Sequence, residues 1–204
     1  MLTLRLDDDL DFVFKKTLFV VFLACPYRIA EFRSISVSSS SFSPHHALLK
    51  PHPSFCRKNQ TDSYTPSPIV VQQFQDIPSI CPVSLLNGYL NLTNALCTEK
   101  SVARPDQLWI STSLKPLSLD SIRKWVRDII FLGDPNARSL GTHTHTIRSQ
   151  VASHLWAKGT PIKEILSAMN WKAESTFARY YARLGIKTSV RAVLAGHLPS
   201  EGQV

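Results

Sequence analysis

From Ser34 to Pro68 the chain turns against helix, and this interruption limits what it can fold into more than any other feature. A serine run, Ser38 to Ser41, is followed by Pro44, Pro51, Pro53, Pro66 and Pro68. Serine hydroxyls compete for backbone hydrogen bonds and proline has no N–H to give, so a helix here lacks its ladder. Two short stretches, His46 to Lys50 and Ile69 to Gln72, read instead as strands. They flank a long turn, HPSFCRKNQTDSYTPSP, with Arg57 and Lys58 at its exposed part.

Around that interruption the apolar residues recur at helical spacing. Pro82 opens a helix whose wide apolar face carries Val83, Leu86 and Leu90 with Leu85, Tyr89, Leu92 and Leu96. Leu108 to Ser111 reads as a short strand. Ser118 to Phe131 is a second amphipathic helix, with Ile122, Trp125, Val126, Ile129 and Ile130 inward, and Gly133, Asp134 and Pro135 end it. A further helix runs from about Thr144 to Lys158, closed by Gly159. Thr160 is then a natural N-cap and Pro161 a first helical residue, with Ile162, Ile165, Leu166 and Met169 as the buried stripe. A last helix starts at Ser175 or Thr176. The expected fold is mainly α with a small antiparallel β-hairpin or sheet, an α+β arrangement.

The N-terminus poses a choice between a core helix and a secretion signal. Lys15 and Lys16 precede an apolar run, Thr17 to Cys25, of signal-peptide length. Asp7, Asp8, Asp9 and Asp11 lie where a signal needs positive charge, no small-residue cleavage site follows, and the run is too short to span a bilayer. A buried helix from Leu10 to Ala24 accounts for the same residues, which argues for an intracellular chain without a membrane partner. At 204 residues and 44% hydrophobic content the sequence can bury one real core, and 19% charged residues exclude disorder throughout. The four cysteines, Cys25, Cys56, Cys81 and Cys97, lack metal-ligand spacing and read as reduced thiols, so no metal or other cofactor is expected.

The net charge of +8 favours a polyanion as partner. Arg28 and Glu31 are three apart, which on a helix puts them on one face, where the carboxylate orients a guanidinium suited to gripping phosphate. Arg123, Lys124 and Arg127 form the outer face of their helix and can track a nucleic-acid backbone, as can Arg57. The densest chemistry lies between His143 and Tyr181. There His145 and Arg148 are helical neighbours, Trp171 follows in a connection, and Tyr180 and Tyr181 stand on the last helix. Each of these residues alone has an ordinary packing or solvation role; their order and spacing set them apart.

Taken together, Arg28-Ile-Ala-Glu31, a basic hairpin turn with Lys58, His145-Thr-Ile-Arg148, Trp171 and a tyrosine nine or ten residues later resemble the catalytic domain of tyrosine recombinases, the phage integrase family. FCRK, CPVSLLNGYL, HTIRSQVAS and STFARYY look closest to DIRS-type or Crypton-like recombinases of eukaryotic mobile elements, which implies a nuclear protein. The resemblance covers about Leu10 to Gly185. It implies residues 1–9 as a leader, 10–185 as an integrase-like catalytic domain, and 186–204 as a tail whose short helix, Ser189 to Leu194, packs on a neighbouring protomer.

The resemblance also implies roles. A tyrosinate attacks a DNA phosphodiester without metal and stores the bond energy as a 3'-phosphotyrosine. Arg28 and Arg148 clamp the non-bridging oxygens, His145 and the Trp171 indole donate to them, Lys58 protonates the leaving 5' oxygen, and Glu31 supports Arg28. Spacing leaves the nucleophile open between Tyr180 and Tyr181, with Tyr181 favoured by the DIRS-like form. The partner is double-stranded DNA, engaged by a homo-oligomer, in the family a tetrameric synapse. Family members carry a separate N-terminal DNA-clamping domain, for which the segment before Arg28 is too short. The alternative is therefore a catalytically inactive DNA-binding remnant of a mobile element.

Overall fold

The structure, a computed structural model, describes residues 6–25, 27–56, 68–135, 144–169, 171 and 177, with the backbone alone for 6–9 and 144–146. The elements in order are α1 (Leu6–Ala24), α2 (Ile29–Arg33), β1 (Ile35–Phe42), β2 (His46–Pro51), β3 (Ile69–Gln72), α3 (Pro82–Glu99), α4 (Leu119–Gly133), α5 (Thr144–Ala157) and α6 (Ile162–Ala168). They fall into two compact units, Met1–Ile147 and Arg148–Val204.

The first unit is built around aromatic rings. α1 packs on α3 and α4, and α2 on α4. Phe14 of α1 meets Tyr89 of α3 edge-on at 4.8 Å, Phe22 meets Phe32 of α2 at 5.4 Å, and Phe32 stacks on Trp109 at 4.8 Å. All five residues are buried. Such pairs contribute roughly 0.5 to 1.5 kcal/mol each beyond the area they bury. Trp109 lies where a short strand was expected at Leu108 to Ser111. In place of a strand there are two isolated bridges, Ser36 to Gln107 just before that segment and Ile110 to Pro116 within it. Its backbone is bonded to side chains: the Tyr89 hydroxyl donates to the Ile110 carbonyl at 3.0 Å and accepts from the Ile110 N–H at 2.8 Å. Arg104 donates from Nη1 to the Pro105 carbonyl at 2.8 Å and from Nη2 to the Leu108 carbonyl at 3.1 Å.

α1 begins four residues before its expected start at Leu10 and ends at Ala24 as expected. Lys15 ties it to α4, pairing with Asp11 at 2.7 Å and with Asp128 at 3.4 Å. On α3, Val83, Leu86, Tyr89 and Leu90 are buried, which is the face the periodicity selects. The Ser118 hydroxyl caps α4 by accepting from the Ser121 N–H, and Ile122, Trp125 and Val126 are buried below it. Burial raises the Cys25 thiol to about 12, so it is a packing residue.

The sheet is three antiparallel strands in the order β1-β2-β3. β2 and β3 stand where expected, with Ala47 opposite Val71 and Leu49 opposite Ile69, all four facing the core. β1 is an addition to the expected pair, hidden by its serines. It is irregular: Ser36 pairs with Lys50 and Ser41 with Leu48, so β1 advances five residues while β2 advances two. The surplus bulges outward. Asp106 holds it there, its carboxylate accepting from the Ser36 hydroxyl at 2.6 Å and from the Ser38 N–H at 2.8 Å.

The Ser36 hydroxyl does most to hold the Asp106 carboxyl below the usual carboxylate range, partial burial opposes it, and the Ser38 donors and the charge of His52 add to the lowering. The folded value lies below the unfolded one, so the stabilisation is present above the unfolded carboxylate pKa and is lost as pH falls through the folded value. Asp106→Asn is therefore expected to be less stable than the parent at pH 7 and to lose that deficit in acid. Urea unfolding of both proteins at pH 7 and pH 3 checks this, and an equal deficit at both pH values would contradict it.

In the second unit α5 ends in a Schellman turn. Gly159 sits at φ +82°, the Thr160 N–H donates to the Leu155 carbonyl at 3.0 Å and the Gly159 N–H to the Trp156 carbonyl at 2.9 Å. Thr160 thus closes α5 and does not cap α6. The expected cap moves to Pro161, in extended conformation at φ −56° and ψ 139°, with helix from Ile162. Ile165 and Met169 of the expected stripe are buried with Ala152, Trp171 and Phe177, while Ile162 and Leu166 pack around them half-buried. Of the expected last helix only Phe177 is described, in helical conformation. The tail helix expected at Ser189 to Leu194 lies outside the described residues.

Candidate active site

The best-defined polar feature of the second unit is Arg148. It projects from α5 and is 7% exposed, which for a permanent cation demands partners. Two are in place. Its Nη2 donates to the Met169 carbonyl at 2.6 Å, and its Cζ lies 5.7 Å from the centroid of the Trp171 ring, within cation–π range.

The local sequence explains how these groups meet. α6 is short, its last turn ends at Met169, and the Trp171 N–H returns to the Leu166 carbonyl at 2.8 Å. That turn swings Trp171 back against the buried stripe. Ile165 and Met169 seat the turn in the core, leaving the Met169 carbonyl as acceptor for the guanidinium. A planar cation held in this way has a fixed orientation, an arrangement suited to stabilising an oxyanion.

In the first unit, Arg28 and Glu31 depart from the shared helical face expected of them. α2 starts at Ile29, and Arg28 occupies the extended cap position before it at φ −65° and ψ 139°. Its carbonyl accepts from the Phe32 N–H at 2.9 Å, its side chain is exposed, and Glu31 is buried at 3%. A cap residue leaves the helix axis at its own angle, so the i,i+3 rule does not apply to it.

On α4, Arg123 pairs with Asp120 and Lys124 with Asp128, each at 2.8 Å. Both cations are well exposed, and surface pairs of this kind contribute about 0 to 1 kcal/mol, little enough to exchange for another anion. Arg127 is half-buried on the same helix. Burial works to raise the pKa of Asp128, but the hydrogen bonds and charges of Lys124 and Lys15 outweigh it and lower the value overall.

Arg57, Lys58, the side chain of His145, and both Tyr180 and Tyr181 lie outside the described residues; the backbone of α5 runs through His145. The structure adds residues that motif spacing passes over. Phe177 is 5% exposed, with its ring 6.4 Å from Trp171 and 5.4 Å from Trp156. Its only signal in the sequence is a large apolar residue within the polar stretch KAESTFARYY. Among the described residues no group of His, Cys, Asp or Glu could hold a metal ion, and no helix is long and apolar enough to cross a membrane.

A family profile described as the Phage integrase family matches residues 6–185. Among solved structures, one titled as the crystal structure of XerA recombinase is similar with a TM-score of 0.52 and 15% sequence identity, over 88% of this chain. The chain spans 58% of the length of that structure. At this identity the likeness bears on fold, and there it agrees with the mainly helical chain and small antiparallel sheet expected from the sequence. No curated protein sequence matches at a significant level.

Proposed function

Since the chain belongs to the phage integrase family, we propose that it breaks and rejoins strands of double-stranded DNA through a 3'-phosphotyrosine. The observation that carries this reading is Arg148, buried, fixed by the Met169 carbonyl and set beside Trp171. A guanidinium so held is a ready-made counter-charge for a phosphorane.

In the proposed reaction the Tyr181 oxygen, or that of Tyr180, attacks the scissile phosphorus in line. The new bond joins tyrosine oxygen to phosphorus, the bond from phosphorus to the 5' oxygen breaks, and Lys58 supplies the proton to the departing oxygen. Arg148 and Arg28 neutralise the non-bridging oxygens, with His145 and the Trp171 indole N–H as further donors and Glu31 in support of Arg28. Rejoining reverses these steps with a different 5' hydroxyl. Arg57, Arg123, Lys124 and Arg127 are assigned to the flanking backbone, where each neutralised phosphate steepens the salt dependence of binding. The motifs FCRK, CPVSLLNGYL, HTIRSQVAS and STFARYY support a DIRS-type or Crypton-like origin in a eukaryotic mobile element. A nuclear location and assembly of several protomers on DNA follow from that origin.

The test is covalent capture. A duplex nicked so that the cleaved fragment diffuses away is expected to accumulate a protein–DNA adduct resistant to denaturant. Tyr181→Phe is expected to abolish it and Tyr180→Phe to leave it. Loss with Tyr180→Phe alone would reassign the nucleophile. Salt-sensitive DNA binding with no adduct under any condition would make the chain a DNA-binding remnant and end the enzyme reading.

A further inference from the structure

We propose that a cleft of the first unit binds a single unpaired guanine base, with Arg33 donating to its O6 and N7 and Asp106 accepting from its N1–H and N2–H groups. Rejoining to a different strand parts the bases beside the break from their partners. For that source of the base alone, the proposal rests on the strand-exchange reading.

The cleft has a volume of about 470 Å³, and its lining includes Arg33, His52, Phe55, Pro105, Asp106 and Pro116. Sites of this size hold small ligands between apolar walls with a few placed polar groups. Three separate stretches of chain form the walls, and each is bonded to the junction of α2 and β1. The His52 N–H donates to the Ser34 carbonyl at 2.7 Å, the Val37 N–H to the Asp106 carbonyl at 2.7 Å, and Arg33 Nε to the Leu117 carbonyl at 3.1 Å. Phe55 is tied to the same wall as His52, its N–H donating to the His52 carbonyl at 2.8 Å. Walls fixed in advance spare a ligand the entropy of ordering them.

The polar groups are of opposite sign. Arg33 is half-buried, and the bond from Nε is the one hydrogen bond its guanidinium makes among the described residues. Nη1 and Nη2 therefore retain their donors for a ligand. The Asp106 carboxylate accepts from the Ser36 hydroxyl on Oδ2 at 2.6 Å and from the Ser38 N–H on Oδ1 at 2.8 Å. Its plane is thus set while each oxygen keeps a lone pair. His52, with Nδ1 at 2.7 Å from the Ser54 hydroxyl, stands near enough for its charge to act on Asp106. A bare phosphate suits such a cleft poorly, because Asp106 repels what Arg33 attracts. A neutral planar group with acceptors on one edge and donors on the next answers both.

Guanine has that pattern. O6 and N7 match a guanidinium fork, and N1–H and the N2 amine lie side by side for two carboxylate oxygens. Adenine turns the N1 lone pair toward the carboxylate instead. Phe55 and the two prolines offer a face for stacking, which any base accepts and which adds affinity without choice.

The test is equilibrium binding to the full chain in two arms. One uses guanosine, adenosine and xanthosine monophosphates. The other uses single-stranded thymine oligonucleotides with one central guanine, adenine, hypoxanthine or 7-deazaguanine, all with the same number of phosphates, so that backbone attraction cancels. Guanine is expected to bind roughly 10- to 100-fold more tightly than adenine, the weight of hydrogen bonds to charged groups. Hypoxanthine, without the N2 amine, and 7-deazaguanine, without N7, are expected to lose most of that preference. Arg33→Met is expected to bind guanine and 7-deazaguanine alike. Asp106→Asn is expected to turn the nucleotide preference from guanine toward xanthine. Ser38 keeps the remaining oxygen, and the new amide donates to the xanthine 2-oxygen. Since Asp106→Asn is also expected to be less stable, this gain is the decisive reading: misfolding does not create a preference.

A guanine preference in the oligonucleotides assigns the site to DNA, and one confined to the monophosphates assigns it to a free nucleotide. Equal binding of guanine and adenine in both arms would overturn the proposal, as would a guanine preference that survives both substitutions. Covalent capture is read separately: a chain with the preference but no adduct keeps the site and loses the strand-exchange reading.

Discussion

Arg148→Ala is expected to slow covalent capture of a nicked duplex by on the order of 100- to 1000-fold, the usual consequence of deleting one fixed donor to a developing oxyanion. Two features of the site argue for the upper part of that range. The guanidinium sits in a buried position where charge is weakly screened, and its orientation is fixed before substrate arrives. Arg148→Lys is expected to recover only part of the loss. An ammonium keeps the charge but cannot bond the Met169 carbonyl and lie along the Trp171 ring in one planar arrangement. Alanine also leaves the Met169 carbonyl without this donor, a cost of roughly 1 to 3 kcal/mol in stability. Thermal unfolding of the same samples separates that cost from the rate. A variant that remains folded and captures DNA within about threefold of the parent would leave Arg148 with a structural role alone, far from the effect expected of an oxyanion donor.

Trp109→Ala is expected to cost about 3 to 5 kcal/mol, a large share of what a domain of this size has. Trp109 is 1% exposed, stacks on Phe32 at 4.8 Å and lies 5.6 Å from Tyr89, so its removal opens a cavity among α2, α3 and the segment beside it. The carbonyl of the same residue accepts from the Leu117 N–H at 3.0 Å, so the cavity also abuts the approach to α4. Trp109→Phe is expected to be much milder. Its indole Nε1 is buried with no hydrogen-bond partner among the described residues, and phenylalanine removes that orphan donor while keeping most of the stacked area. Urea unfolding of the two variants measures the contrast. Equal destabilisation would mean that the indole N–H, and not the filled volume, matters at this position.

The parts of the fold that could be read from sequence are those whose signal is local. α1, α3 and α4 show apolar residues at helical spacing, and β2 and β3 are short apolar runs bounded by proline and polar residues. β1 was not readable, because Ser36 and its neighbours have little preference for strand. They are held in one by Asp106, seventy residues away in sequence. Trp109 belongs to the same class: four apolar-to-polar residues resemble a strand until the Tyr89 hydroxyl takes both backbone groups of Ile110.

The candidate site divides in the same way. Arg148 and Trp171 stand out by spacing within one short stretch of chain. That the Met169 carbonyl receives Arg148 could not be read, because a backbone acceptor carries no sequence signature and Met169 reads only as core. Arg28 and Glu31 satisfied a spacing rule for helices, but the helix begins one residue too late for it to hold.

The mismatch between β1 and β2 also insulates register from length. In an ordinary strand, gaining or losing one residue inverts every side chain beyond the change. Here the strand already uses three residues more than its partner between paired positions, and those residues fall in the serine run. A serine added or lost there resizes the bulge while Ile35 stays anchored through the Leu108 N–H and Phe42 stays opposite Ala47. The surplus residues of this chain thus lie where the sheet can absorb a change in length.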